Sequence, residues 1–255
     1  MTSNRIYEQS TGHAKSIKLK TLNDISQSLC KIKTAIKKSS GFFLQIPNKQ
    51  KTVYLVVSSY EAIPSEFVDD KKEIKIKTEI KTTKRIKQKI KLDRNERKIY
   101  CLKEEKITAI EILEKDILFN KVKFLKYDTE CKESQYGQYL IQKKNIFILH
   151  YPKAKDLECN CGMIDKVKKP HEFQFMHTLY IEDYSPGSPI LLLDEKQYNG
   201  SLVIGVHAFF DIEKKIGIGT FINALIENII GKEYIDEKEK AGLCITSDVS
   251  IEPLQ

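Results

Sequence analysis

The chain has 255 residues, 41% hydrophobic and 31% charged, a balance that supports a packed core and excludes a disordered chain. No apolar run approaches the roughly 18 residues that a membrane-spanning helix needs. Residues 1–10 are polar and lack the apolar centre of a secretion signal, so a cytoplasmic protein without a membrane span is expected.

Residues 1–20 are polar. Leu22, Ile25, Leu29, Ile32 and Ile36 then recur at helical spacing, with Asn23 or Asp24 available as a cap. Residues 47–50 form a turn, and the continuous β-branched run at 53–57 predicts a buried strand. Ile74, Ile76, Ile80, Ile86, Ile90 and Leu92 alternate with polar residues, which predicts strands with one wet face, broken into a hairpin at Thr82-Thr83. Residues 99–102 read as a further short strand. Residues 129–138 are polar and read as a link. Residues 145–152 predict a strand ended by Pro152, and residues 157–164 another. Near the end, Phe221, Ile222, Leu225, Ile226 and Ile229 form one apolar helical stripe, with Thr220 to cap its start and Gly231 its end. Residues 232–255 are charged, then polar, and read as a tail.

The charge is local. Residues 71–98 hold thirteen Lys/Arg and four Asp/Glu, a balance of +9 in a chain whose net charge is +8. On the hairpin, Lys75, Lys77, Lys84, Arg85, Lys87 and Lys89 make a basic face suited to an acidic partner: nucleic acid, tubulin-like acidic tails or an anionic membrane. The plain alternative is a solvated, lysine-rich side of a hairpin. Few aromatics interleave with these lysines, so nucleic acid is the less supported partner. The six cysteines, Cys30, Cys101, Cys131, Cys159, Cys161 and Cys244, read as reduced thiols. Cys159-Asn160-Cys161 offers two ligands where tetrahedral zinc takes four, so no metal is expected. No phosphate loop, dinucleotide fingerprint or H-E-x-x-H occurs, and no cofactor is expected.

Residues 180–193 and 202–207 organise the rest. Two short β-prone apolar runs, 190–193 and 202–207, flank a polar loop, and Gly187-Ser188-Pro189 makes a tight corner before the first. Gly187-Ser188-Pro189-Ile190 followed by Val203-Ile204-Gly205-Val206-His207 resembles the C-terminal half of trypsin-like serine peptidase domains. There a Gly-x-Ser-Gly-Ser-Pro loop carries the nucleophile and a Val-Ile-Gly-x-His strand follows. Residues 105–112 resemble that family's Asp-x-Thr-x-Ile-Glu-Ile strand, and residues 145–164 the opening strands of its second barrel. The resemblance spans about residues 28–231. It implies an all-β fold of two six-stranded antiparallel Greek-key barrels with a C-terminal α-helix. The implied division is an extension (1–27), a first barrel (28–118), a second barrel with the helix (119–231) and a tail (232–255). It also reads residues 28–32 and 41–46 as the first strands, against the helical spacing, leaving a short helix before about Gln27.

The same resemblance aligns the catalytic positions with Glu61 for the base histidine, Lys106 for the orienting acid and Pro186 for the nucleophilic serine. Carboxylate Glu61 is a poor base at neutral pH, Lys106 would repel an imidazolium, and Pro186 has neither hydroxyl nor N–H. Tyr184 replaces a glycine that donates to the oxyanion. Glu61 and Lys106 are free to form a salt bridge across the site instead. The implied protein is a catalytically inactive pseudopeptidase, a protein-binding or structural module in a larger intracellular assembly, such as a cytoskeletal or ciliary one. Two alternatives remain. One is an active hydrolase with a shifted nucleophile, Ser185 or Ser188, served by His177 or His207. The other is a nucleic-acid-binding module using the basic hairpin. For His207 the competing reading is a packed histidine hydrogen-bonded to backbone.

Overall fold

The computed structural model describes residues 19–48, 51–80, 84–128, 145–152, 156–167, 173–179, 181, 185–192 and 202–240, with the side chains of residues 19, 80, 84 and 232–240 left aside. The expected break at Thr82-Thr83, the link at 129–138, Tyr184, Cys131, Cys244 and the tail beyond residue 240 lie outside these residues.

The N-terminal half begins with a short helix α1 (Leu19–Ser26) and continues as strands β1 (Leu29–Lys33), β2 (Lys38–Ile46) and β3 (Val53–Ser59). A one-turn helix α2 (Ser65–Asp69) leads to β4 (Glu73–Ile80), β5 (Lys84–Lys91), β6 (Ile99–Leu102) and β7 (Ile107–Glu111). These strands form one antiparallel sheet in the order β5-β4-β1-β2-β3-β7-β6, curved into a half-barrel whose end strands β5 and β6 do not pair with each other. The C-terminal half holds β8 (Lys126–Tyr127), β9 (Asn145–His150), β10 (Glu158–Val167), β11 (Gln174–His177), β12 (Pro189–Leu192), β13 (Leu202–Asp211) and β14 (Ile216–Phe221). Six of them close into a barrel, β12-β9-β10-β11-β14-β13, because β12 also pairs with β13; β8 lies parallel against β13. Helix α3 (Asn223–Lys240) ends the described chain. The all-β two-barrel architecture with a C-terminal helix is therefore present, with the first barrel open and the second closed.

Helical spacing at residues 22–36 is used only as far as Ser26. From Leu29 the chain pairs with β2 on one side and β4 on the other, so two ladders claim its backbone groups and override the local period. In β4 and β5 the alternation acts as expected: Ile74, Ile76 and Ile90 are buried while Lys87, Lys89 and Lys91 face water. The caps expected for the last helix are not used. Thr220 lies in β14 and donates its hydroxyl to the Glu105 carbonyl at 2.7 Å, tying the second barrel to the first. Gly231 lies inside α3, which runs on to Lys240. One glycine weakens a helix by about 1 kcal/mol relative to alanine, too little to end it.

The core has three parts. One cluster fills the half-barrel (Cys30, Phe43, Ile63, Ile76, Leu118), with Phe119, Val122 and Phe124 packed against it. Another fills the closed barrel around Ile148, Phe175, Ile190 and Phe221. The third lies between them and joins Phe42, Leu55 and Ile107 of the first barrel to Phe147, Leu191 and Val206 of the second, covered by Ile222, Leu225 and Ile229 near the start of α3. A buried Arg97 bridges Asp116 at 2.9 Å and donates to the Glu111 carbonyl, pinning the turn after β7.

Two glycines make opposite predictions. A Cβ on Gly217, which pairs with His177, would stand 1.9 Å from the His177 ring; a Cβ on Gly231 meets nothing within 4 Å. Gly217→Ala should lower the urea midpoint by an amount equivalent to about 1–3 kcal/mol or more, whereas Gly231→Ala should raise it by up to about 1 kcal/mol.

Candidate functional site

The loop before β12 sits where the barrels meet. Gly187 has φ 87°, and a Cβ there would come within 2.5 Å of the Ser40 carbonyl and 2.6 Å of Ser58 Oγ, both in the first barrel. Only glycine allows both the left-handed backbone and this approach. The loop's polar groups turn inward. Gly187 N–H donates to the His207 carbonyl at 2.8 Å, and His207 N–H donates back to the Ser188 carbonyl at 2.9 Å. Ser188 gives both its N–H (3.3 Å) and its hydroxyl (2.8 Å) to the Ser185 carbonyl.

Ser185 Oγ lies 2.5 Å from His150 Nδ1 at the end of β9, and both residues are only 1% exposed. His177 Nε2 lies 3.2 Å from His207 Nδ1, so one of the two rings donates to the other, and His177 Nδ1 has no partner among the described residues. Burial depresses all three imidazoles. It holds His150 at about 4, with the Asn160 side chain pulling slightly the other way, and His177 at about 3. His207 is pushed well down by burial and, next, by its two neighbouring rings. All three are neutral at physiological pH.

Facing this loop, the first barrel presents serines. Ser58 donates to the Ser40 carbonyl at 2.7 Å, so the 3.0 Å contact between Ser39 and Ser58 hydroxyls is donated by Ser39. Tyr151 N–H donates to Ser40 Oγ at 3.2 Å, joining β9 to β2. Ser59 Oγ is buried without a partner among the described residues.

Beyond Ser59 the chain turns through Glu61, with Ala62 and Ile63 N–H groups on the Ser59 carbonyl. Lys106 ends a turn at φ 61° and accepts the Tyr60 N–H at 2.9 Å, so the backbone brings Glu61 and Lys106 side by side. Their anticipated salt bridge is not the one that forms. Glu61 instead takes Lys37 from the β1–β2 turn at 2.6 Å, a half-exposed pair. Pro186 is buried at the junction.

Solved structures that share this architecture include proteases. Rv3671c from M. tuberculosis H37Rv, in its inactive form, superposes with a TM-score of 0.53 at 12% identity over 90% of this chain and 96% of that one. Deg5 gives 0.53 at 14% identity over 82% and 90%. The catalytically active tobacco etch virus protease complexed with product gives 0.52 at 12% over 89% and 88%. The fold is that of the trypsin-like serine proteases. Identities this low carry the fold alone, and no family model and no curated protein matches the sequence.

Within the trypsin-like fold, the shifted-nucleophile alternative meets specific geometry. Ser185 is in contact with a histidine, but with His150, not with His177 or His207 as expected. His207 is buried, and its ring bonds His177 rather than backbone. Ser188 holds its own turn. No cluster of three or more His, Cys, Asp or Glu side chains suited to a metal occurs among the described residues. The basic hairpin residues Lys75, Lys77, Arg85, Lys87 and Lys89 lie on β4 and β5, away from this junction, while Lys84 pairs with Ile80 at the start of β5. Sequence reasoning missed the His150–Ser185 pair. The available signal was a histidine directly before Tyr151-Pro152, the point where β9 stops and meets the first barrel.

A histidine with a depressed folded pKa leaves the unfolded chain binding more protons below its ordinary value, so stability falls with pH. For His150 and His177 the window runs from about 6.5 down to about 4 and about 3. Stability should therefore drop by on the order of a few kcal/mol between pH 6.5 and pH 4. His150→Gln should flatten that slope in urea unfolding followed at several pH values; an unchanged slope would show that this ring does not contribute.

Proposed function

We propose that this chain is a pseudopeptidase, a trypsin-like scaffold that works through its surface as a protein-binding module of a larger intracellular assembly. The observation that carries the reading is Pro186. The position aligned with the nucleophile has neither a hydroxyl to attack with nor an N–H to hold an oxyanion. The neighbouring groups support it. The Gly187 and Ser188 N–H groups are directed to the His207 and Ser185 carbonyls. Glu61 is engaged by Lys37. The remaining serine–histidine contact, Ser185 with His150, is buried on both sides, and its imidazole is far below the pKa of a working general base. A partner with an acidic surface, of which a tubulin-like tail is one example, suits the net charge of +8 and fits a cytoskeletal or ciliary setting.

The expected result with a fluorophosphonate probe is no labelling at Ser185 or Ser188, and no hydrolysis of a mixed peptide library. The single change Pro186→Ser should also leave the chain silent, because base and acid positions stay Glu61 and Lys106. Labelling of Ser185 that is lost in His150→Gln would replace this reading with the shifted-nucleophile enzyme.

A further inference from the structure

The lysines of the hairpin are laid out in rows that continue into the sheet. In the cross-strand register Lys33 stands opposite Lys75, which stands opposite Lys89; Lys31 stands opposite Lys77, which stands opposite Lys87. Neighbouring strands are about 4.8 Å apart, so these are like charges set face to face, an arrangement that destabilises a sheet. Acids stand at the borders: Glu73 reaches Lys89 at 2.7 Å, Asp93 reaches Lys91 at 3.5 Å and Glu79 reaches Arg85 at 3.1 Å. Partial burial, and then Lys87, Lys75, Lys33 and Lys38, lower the proton affinity of the Lys77 ammonium.

Charged residues on an edge strand also serve to block unwanted pairing. That purpose needs cations on β5 alone. Here they extend across β4 to β1, two strands inside the edge, where blocking gains nothing. Beyond β5 no described strand continues the sheet, so a row of main-chain donors and acceptors lies beside the cations.

We propose that the outer edge of β5 captures an acidic peptide in extended form, which adds to the sheet as a further strand and sets its alternate carboxylates against the rows led by Lys87 and Lys89. Every second residue of an added strand recurs at about 6.8 Å, the same repeat as Arg85, Lys87, Lys89 and Lys91. Main-chain hydrogen bonds supply orientation, and the lysine rows supply selectivity for Asp and Glu. No Phe, Tyr or Trp lies in these rows, so there is no platform on which nucleic-acid bases would stack. This inference rests on the protein-binding reading above and names its partner class. It stands apart from the fate of the barrel junction, since peptidase labelling would remove that reading without touching the result below.

The test is fluorescence anisotropy on the full chain with a synthetic alternating Glu-Thr peptide. Controls are its alternately N-methylated form, blocked on one edge, and a single-stranded oligonucleotide of equal charge. Expected are saturable binding of the Glu-Thr peptide, about tenfold or more loss on N-methylation through removal of several main-chain bonds, and about threefold to tenfold loss with Lys87→Thr/Lys89→Thr. The N-methylated ligand leaves the protein unaltered, so misfolding of the variant cannot mimic the outcome. No binding at low salt, binding indifferent to N-methylation, or tighter binding of the oligonucleotide would overturn the proposal.

Discussion

The apolar layer shared by the two barrels holds the molecule together. Phe42 and Leu55 on one side and Phe147, Leu191 and Val206 on the other are buried against each other, and the first turns of α3 close the layer with Ile222, Leu225 and Ile229. Apolar burial contributes about 25 cal/mol per Å², and this layer belongs to neither barrel alone. An open half-barrel has a face that must be covered, and here the closed barrel covers it. The junction is thus a structural element before it is a site.

Many polar groups at the edge of that layer are matched to nearby carbonyls. In the 185–188 loop the donors are directed to nearby carbonyls: Gly187 to His207, His207 to Ser188, Ser188 to Ser185. Ser39, Ser40 and Ser58 form a matching chain on the first barrel. His150, His177 and His207 are buried beside these groups. Burial lowers each ring's proton affinity, so the three rings are neutral.

The half-barrel's outer sheet carries a different pattern. At the junction Ser59 Oγ, His150 Nε2 and His177 Nδ1 are buried without a partner among the described residues, while on the outer sheet Lys33, Lys75 and Lys89, with Lys31, Lys77 and Lys87, stand opposite one another on a wet face. Water screening makes that repulsion tolerable. The pattern persists across three strands.

Much of the architecture was legible because it depends on short-range pattern. Alternating Ile and Lys gave β4 and β5, the continuous run at 53–57 gave β3, and the Gly187-Ser188-Pro189 corner with the strand ending near His207 marked the junction. The residue types at Glu61, Lys106 and Pro186 could be read from the sequence alone, since they are a property of position. What the linear order could not decide is who meets whom. The helical period of Leu22 to Ile36 gave way at Leu29 because two neighbouring strands bid for the backbone. Thr220 served an inter-barrel bond rather than a cap, Glu61 found Lys37 rather than Lys106, and Ser185 found His150, thirty-five positions away. Identity and periodicity are carried residue by residue along the chain; partnership is settled by closure of the barrels, where separation in sequence loses its meaning and distance through space takes over.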